Sequence, residues 1–336
     1  MARAFIIAEA GVNHNGSLDL AFQLIETAKA CGADAVKFQS FRADRMVTRF
    51  AAKAAYQERT TEHVESHFDM LKRLELSDDA HRRLIAHCRE ANIEFLSSPF
   101  DEESVDLLET IGVSQFKVPS GEITNLPLLQ YIARKGRPVI LSTGMANLGE
   151  VEEAIRTLQA AGSAEITLLH CVTEYPAPYD EINLRAMHTL ETAFGLPVGY
   201  SDHTPGIAIA IAAVAMGAQV VEKHFTLDRS LPGPDHRASL EPADFKQMVA
   251  AIRNVESALG SGIKNPAPCE LQNMPVARKS VIATRSLPAG HKLCCADLAI
   301  KRPGTGIAPK FLQLLIGHTL RLSVEEDEVI SWSHLA

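Results

Sequence analysis

The sequence predicts an α/β chain, a (β/α)8 barrel followed by a small domain of short strands, on three observations. Short apolar runs rich in Val, Ile and Phe alternate eight times with segments of helical spacing. The eight units fit within about 260 residues, the number and length expected of such a barrel. No GxGxxG turn follows the first run, which makes a doubly wound sheet the weaker alternative.

In order, the strands are read at Phe5 to Glu9, Ala35 to Gln39, Ile93 to Ser97, Gln115 to Pro119, Pro138 to Ser142, Glu165 to Cys171, Pro197 to Ser201 and Gln219 to His224. Each is a short apolar run bounded by a polar or Gly turn. The clearest helices between them are Leu18 to Cys31, with Ser17 or Asp19 near the cap, Asp78 to Ala91, Glu150 to Ala161, Leu184 to Phe194, Gly206 to Met216 and Pro242 to Leu259. The second unit breaks the rhythm, because Phe41 to Glu75 separate its strand from its helix. A connection that long inside a compact domain is expected to be a lid or a substrate wall. From Gly260 to Met274 the chain turns to Gly, Ser, Asn and Pro, the composition of a linker. The domains are therefore drawn as a barrel over 1–260, a linker over 261–278 and a small domain over 279–336, opening with a strand at Lys279 to Ala283.

With 336 residues, 46% hydrophobic and 22% charged, the composition is that of a globular protein with room for a large core. Acidic residues outnumber Lys and Arg by 41 to 33, a net charge of −8, which argues against a nucleic-acid or anionic-membrane partner and for a small molecule. Glu9 arrives before any signal-peptide core forms, and no apolar run approaches about 20 residues, so a cytoplasmic protein is expected. The six cysteines, Cys31, Cys88, Cys171, Cys269, Cys294 and Cys295, include no CxxC pair and read as reduced, small core residues.

In a barrel of this kind the C-terminal strand ends face the active site. Here they carry Glu9, Lys37 with Gln39, Lys117 followed by Ser120 and Glu122, Ser142-Thr143, His170, Ser201 with His203, and Glu222 with His224. Residues two apart on a strand share a side, so Lys37 with Gln39, Ser201 with His203, and Glu222 with His224 point together. Lysines inside strands are costly unless they meet an anion. Ser120-Gly121 and Ser142-Thr143-Gly144 add hydroxyls and backbone N–H groups at turns, so a phosphate or carboxylate site is expected. Schiff-base chemistry on Lys37 or Lys117 is the rival use of such lysines. His203 and His224, on neighbouring strands, are candidate metal ligands with Glu222 and Asp235 near enough to add oxygen contacts, a set suited to Mn²⁺, Fe²⁺ or Zn²⁺ and less to Mg²⁺. The remaining histidines, His63 among them, have no such placement, with His14 in the first loop a marginal exception.

Ala8-Glu9-Ala10-Gly11-Val12-Asn13-His14-Asn15-Gly16, Val36-Lys37-Phe38-Gln39, Lys117-Val118-Pro119-Ser120-Gly121-Glu122 and Leu141-Ser142-Thr143-Gly144-Met145 resemble the sialic acid synthase family. So do His170-Cys171-Val172-Thr173-Glu174-Tyr175-Pro176, Tyr200-Ser201-Asp202-His203-Thr204, Glu222-Lys223-His224-Phe225-Thr226 and Gly233-Pro234-Asp235-His236. The tail, with Ala277-Arg278-Lys279-Ser280 and Lys301-Arg302-Pro303-Gly304-Thr305-Gly306-Ile307, resembles that family's C-terminal antifreeze-like (SAF) domain. The likeness runs in order over nearly the whole chain.

What the resemblance implies is a TIM barrel with a small SAF domain that condenses phosphoenolpyruvate with an N-acylated hexosamine, giving a nine-carbon 2-keto acid and phosphate. It implies N-acetylmannosamine as acceptor and N-acetylneuraminate as product, with 2,4-diacetamido-2,4,6-trideoxy-mannose, the route to legionaminic acid, as the alternative. It implies Mn²⁺ or Mg²⁺ on His203 and His224, and Glu9, Glu122 and Lys37 as catalytic residues. Substrate contacts are expected from Lys117, Ser120, Ser142, Gln39, Thr173, Tyr175, Ser201, Asp235 and Arg302. A homodimer is implied too, in which the small domain of one subunit caps the barrel of the other and brings Arg302 to the sugar. Departures are Ser40 where many members have Thr, the Leu287-Pro288-Ala289-Gly290 turn where Lys-Gly is common, and Thr173 where some have Asn. Thr173 lies on a substrate-facing loop and leaves the acceptor open.

Overall fold

A computed structural model of the chain describes residues 3–61 and 65–336; His63 lies outside them. The chain divides into two compact units, Met1–Gly260 and Ser261–Ala336. The first runs β1 (Phe5–Gly11), α1 (Leu18–Ala30), β2 (Ala35–Ser40), then α2 (Ala43–Met46), α3 (Ala55–Thr60) and α4 (His67–Leu74), before α5 (Asp78–Ala91) and β3 (Glu94–Pro99). It continues through α6 (Glu102–Ile111), β4 (Phe116–Val118), α7 (Leu126–Ala133), β5 (Val139–Ser142), α8 (Leu148–Ala160), β6 (Ile166–His170), α9 (Ala186–Phe194), β7 (Val198–Asp202), α10 (Ala208–Ala215), β8 (Val220–His224) and α11 (Pro242–Leu259). The strands form one parallel sheet in the order β3-β2-β1-β8-β7-β6-β5-β4. Its end strands, β3 and β4, pack side by side, so the sheet closes into the barrel that the eightfold rhythm predicts.

The helices start where capping chemistry places them. Ser17, Ser77 and Asn147 accept the first free backbone N–H groups of α1, α5 and α8, and Asn92 ends α5 in the left-handed conformation. Their apolar stripes bury Leu24, Leu84 and Leu158 against the outward faces of the strands. Truncating such a leucine to alanine costs about 2–5 kcal/mol. The segment after β2, expected as a long loop serving as a lid or substrate wall, holds three short helices with their own cluster of Phe41, Met70, Leu71 and Leu74 over Val12.

Inside the barrel the alternation sets two layers. Ile7, Ala35, Leu96, Ile140, Leu169 and Val220 plug the lower interior. Gly199 belongs to this tight layer, since a Cβ there would fall 2.3 Å from the Val220 carbonyl oxygen. One step further along each strand, in the same inward phase, come Glu9, Lys37, Ser98, Lys117, Ser142, Cys171, Ser201 and Glu222. The register pairs Glu9 with Lys37 and Ser201 with Glu222 across neighbouring strands. The apolar plug is thus the floor of the polar layer.

The second unit has its own core of Val281, Leu287, Leu293, Leu298, Ile307, Leu315 and Ile330. In it β9 (Ser280–Ala283) pairs antiparallel with β10 (Leu298–Lys301). Asp297, fully buried, accepts hydrogen bonds from Arg285, His291 and the Cys294 backbone N–H, which hold its carboxyl well below the usual range. The segment expected as a linker is partly ordered. Met274–Ala277 forms a helical turn, and the Gly304 N–H donates to the Pro275 carbonyl at 2.6 Å, tying the end of that segment to the small unit. All six cysteines are free, but Cys269, Cys294 and Cys295 are exposed, so half of them are not the core residues expected. Among the described residues no helix is long and apolar enough to cross a membrane.

Candidate active site

A cavity of about 640 Å³ opens at the C-terminal ends of the strands. At its base four ionisable groups meet out of water. Lys37 Nζ lies 2.8 Å from Glu9 Oε2 and 3.8 Å from Glu222 Oε2, and Lys117 Nζ lies 3.3 Å from Glu222 Oε1. All four side chains are 2–4% exposed. Each amine meets a carboxyl, which is what makes their joint burial tolerable.

The members of this cluster are not equivalent. Burial, reinforced by the negative charge of Glu222, pushes the Glu9 carboxyl up to about 7 against the pull of Lys37. Glu222 faces both lysines, which overcome its burial and hold it down at about 2. The two carboxylates raise Lys37, whereas burial lowers Lys117. Lys37 is thus held charged, which disfavours it as a Schiff-base nucleophile. Hydroxyls complete the layer. Ser98 accepts from Lys37 at 3.1 Å, Ser201 donates to Glu222 at 3.1 Å, and the Ser142 hydroxyl lies buried at the cavity with no partner among the described residues. Gln39 Nε2 is 3.4 Å from Glu9 Oε1.

Ser120 is held by its surroundings. Its hydroxyl accepts the Gly144 N–H at 3.0 Å and lies 3.1 Å from Cys171 Sγ. A Cβ at Gly144 would fall 2.3 Å from Thr173 Oγ1 and 2.8 Å from Ser120 Oγ, so glycine lets these loops close on one another. The Gly144 N–H expected to cradle an anion is therefore already engaged. Thr143 likewise turns away, its Oγ1 on the Leu169 carbonyl.

Above this layer sit the imidazoles. His203 Nδ1 donates to the Val172 carbonyl at 2.6 Å, which fixes its Nε2 as a lone-pair donor. His224 is buried, and its Nδ1 has no hydrogen-bond partner among the described residues. Burial pushes His203 down to about 4 and His224 well below the usual range, so both rings are neutral at ordinary pH. The ring centres are 5.5 Å apart, and Tyr175 lies 4.2 Å from His203 and 5.3 Å from His224. Two neutral imidazoles this close, one with an unpartnered buried nitrogen, fit a divalent cation. Among the described residues no set of three or more His, Cys, Asp or Glu side chains is placed to hold one, so further ligands would have to be water or substrate oxygen.

The segment after β2 forms the opposite wall. Tyr56 packs on Tyr175 at 4.9 Å, and Thr60 donates to the Pro234 carbonyl at 3.1 Å, next to Asp235, whose carboxyl also lines the cavity and is pushed up to about 6 by burial. Met46, Met70, Leu71, Leu74 and Phe100 give this side an apolar patch, beside Lys53, Gln57 and His67.

The cavity therefore gathers Glu9, Lys37, Gln39, Lys117, Ser120, Ser142, Thr173, Tyr175, Ser201, His203, His224 and Asp235. Glu122 is not among them. It ends the 3₁₀ turn Ser120–Glu122, where residues two apart leave in different directions, and its carboxylate accepts from Asn125 at 2.7 Å. His170 is also turned out, bonded to the Ile182 carbonyl, because the inward phase of β6 runs through Leu169 and Cys171. Arg302 is an exposed residue of the second unit, its Nε on the Ala277 carbonyl at 3.0 Å. Sequence reasoning missed Ser98, Cys171 and Tyr56; for Ser98 the signal was there, one residue beyond the expected end of the third strand.

Residues 24–264 match the NeuB family and residues 278–336 the SAF domain. The chain is 52% identical to the N,N'-diacetyllegionaminic acid synthase of Campylobacter jejuni, over 98% of this chain and 99% of that protein. To the N,N'-diacetyllegionaminic acid synthase of Legionella pneumophila it is 48% identical, over 98% and 94%. Among solved structures, the N-acetylneuraminic acid (sialic acid) synthetase of Leptospira borgpetersenii in complex with citrate matches with a TM-score of 0.71 and 36% identity, covering 81% of this chain and 90% of that one. Identity at this level over nearly the full length of both partners shows that the chain belongs to the NeuB family, the sialic acid synthases.

Proposed function

We propose that the protein condenses phosphoenolpyruvate with 2,4-diacetamido-2,4,6-trideoxy-mannose to a nine-carbon 2-keto acid of the legionaminic type and phosphate. The reaction type is carried by one observation, the buried layer in which two lysines share two glutamates beneath a pair of neutral imidazoles. The choice of acceptor moves away from N-acetylmannosamine because the two legionaminic acid synthases are similar to this chain over nearly its whole length. The apolar wall of Met46, Met70, Leu71, Leu74 and Phe100 supports that choice. It suits a sugar that presents a C6 methyl and acetyl methyls, whereas hydroxyls buried there without partners would cost about 1–3 kcal/mol each.

In this reading Lys37 and Lys117, with Ser98, Ser120 and Ser142, hold the carboxylate and phosphate. A carbon–carbon bond forms between C3 of phosphoenolpyruvate and the aldehyde carbon of the open-chain sugar, whose oxygen takes up a proton from solvent water. Water then adds at C2, Glu9 takes its proton, and the C2–O bond breaks to release phosphate. His203 and His224 would hold Mn²⁺ or Mg²⁺, which when bound supplies Lewis-acid polarisation of the aldehyde oxygen. Glu222 stays ionised and keeps the lysines charged. Phosphoenolpyruvate labelled with ¹⁸O in its bridging oxygen tests the sequence of steps. The label should leave in phosphate, and its retention in the keto product would refute this chemistry.

Because Glu9 must accept a proton, kcat/KM should fall as pH drops through about 7, where the carboxyl regains it. Bound phosphoenolpyruvate adds negative charge nearby and should move the same limb of kcat to higher pH. Glu9→Gln should remain folded and lose the limb together with most turnover; a pH profile unchanged in that variant would reassign the base.

A second copy of the chain is proposed to complete the mouth, its Arg302 guanidinium reaching the N-acyl group or a hydroxyl of the acceptor. Mixing Arg302→Ala with Glu9→Gln subunits should regenerate one intact site per heterodimer. No recovery after exchange verified by mass would exclude a shared site.

A further inference from the structure

We infer that Asn13 is a positioning residue, whose amide sets Asp235 and the end of β8 in register with Glu9. Asn13 lies just past β1 and is 1% exposed. Its Nδ2 donates to two groups far along the chain, the Phe225 carbonyl and the Ser239 hydroxyl, each at 2.9 Å. Ser239 in turn donates to the backbone carbonyl of Asp235 at 2.7 Å. Phe225 is the residue after His224, and its N–H donates to the Glu9 carbonyl at 2.8 Å. One amide group therefore clamps the residue next to a cavity histidine and the turn that carries a cavity carboxylate onto the loop leaving Glu9.

The chemistry at position 13 is restrictive. Two N–H donors must leave one atom toward two oxygens, in a place closed to water. Aspartate has nearly the same shape but would set a carboxylate oxygen against the Phe225 carbonyl, and Ser239 would lose the donor that orients its hydroxyl. Asp235 lines the cavity, and the backbone that carries it is gripped by Ser239. Displacement of a substrate-positioning group by about 1 Å can cost on the order of 100-fold.

The test rests on the proposed reaction for its kinetic part. In steady state with both substrates varied, Asn13→Asp and Ser239→Ala should each raise the acceptor KM about tenfold and leave the phosphoenolpyruvate KM within about twofold, because Lys37 and Lys117 stand on β2 and β4, which the clamp does not tie. Added to Asp235→Ala, either substitution should cost less than about twofold more, the non-additivity of residues acting through one another. Full additivity, or equal changes in both KM values, would overturn the inference. Crystal structures of Ser239→Ala and Asn13→Asp give a readout free of turnover. Asp235 displaced from its place in the unsubstituted protein supports the clamp; an unmoved Asp235 overturns it whatever the acceptor. A native protein that uses neither sugar would instead refute the proposed function and leave this geometric test standing.

Discussion

Exchanging Glu222 for glutamine should lower the melting temperature of the protein by on the order of 10 °C and reduce turnover at least about a hundredfold. Glu222 is the anion shared by both lysines, and with its charge gone two buried cations face only Glu9. Leaving a buried charge without its partner costs about 3–5 kcal/mol, and about 2–4 °C accompanies each kcal/mol in a domain of this size. Lys117, already lowered by burial, should lose its proton more easily and bind anions less well. Added phosphate should recover part of the lost melting temperature by standing in for the missing carboxylate. Glu9→Gln is the instructive contrast. Its carboxyl is half-protonated near pH 7, so little charge balance is lost, while proton transfer worth about 10²–10⁴ in rate is removed. Wild-type melting and wild-type phosphoenolpyruvate affinity in Glu222→Gln would show that the four groups do not depend on one another.

Dialysis against a chelator should abolish turnover, and Mn²⁺ should restore it. The aldehyde oxygen otherwise meets no strong electrophile among neutral imidazoles, serines and a lysine layer reserved for anions. Burial holds His203 at about 4 and His224 well below its ordinary range, so both stay unprotonated across an ordinary assay and free to take a cation. His224→Ala should resist rescue at Mn²⁺ concentrations that restore the unsubstituted protein. Full turnover in excess chelator, with metal analysis confirming depletion, would remove the cation from the account.

The barrel was legible because parallel strands buried on both faces leave continuous apolar runs, and here Ile6-Ile7-Ala8, Val139-Ile140-Leu141 and Val220-Val221 are such runs. The rim was legible for the complementary reason, that Lys37, Lys117 and Glu222 interrupt those runs at one end. Phase was harder to read. His170 and Cys171 are neighbours, and a shift of one residue decides which faces the cavity. Ser98 enters it because the ladder pairs it with Gln39, a register fixed by backbone bonding between strands far apart in sequence. Glu122 looked like a rim carboxylate by proximity to Ser120, but a 3₁₀ turn separated them. The short helices after β2 were hidden because they depend on packing around Met70 and Leu74, and the N-cap residues of α2 and α3, Arg42 and Ala54, make no side-chain cap bond of their own. That Glu222 joins both lysines is a tertiary fact with no sequence signature.

Phosphate release from phosphoenolpyruvate, measured against 2,4-diacetamido-2,4,6-trideoxy-mannose and N-acetylmannosamine in parallel, tests the proposed function most directly. Two hydroxyls set against an apolar wall, at about 1–3 kcal/mol each, predict a kcat/KM at least about tenfold higher for the diacetamido sugar. A preference for N-acetylmannosamine, or no phosphate release with either sugar, would contradict it.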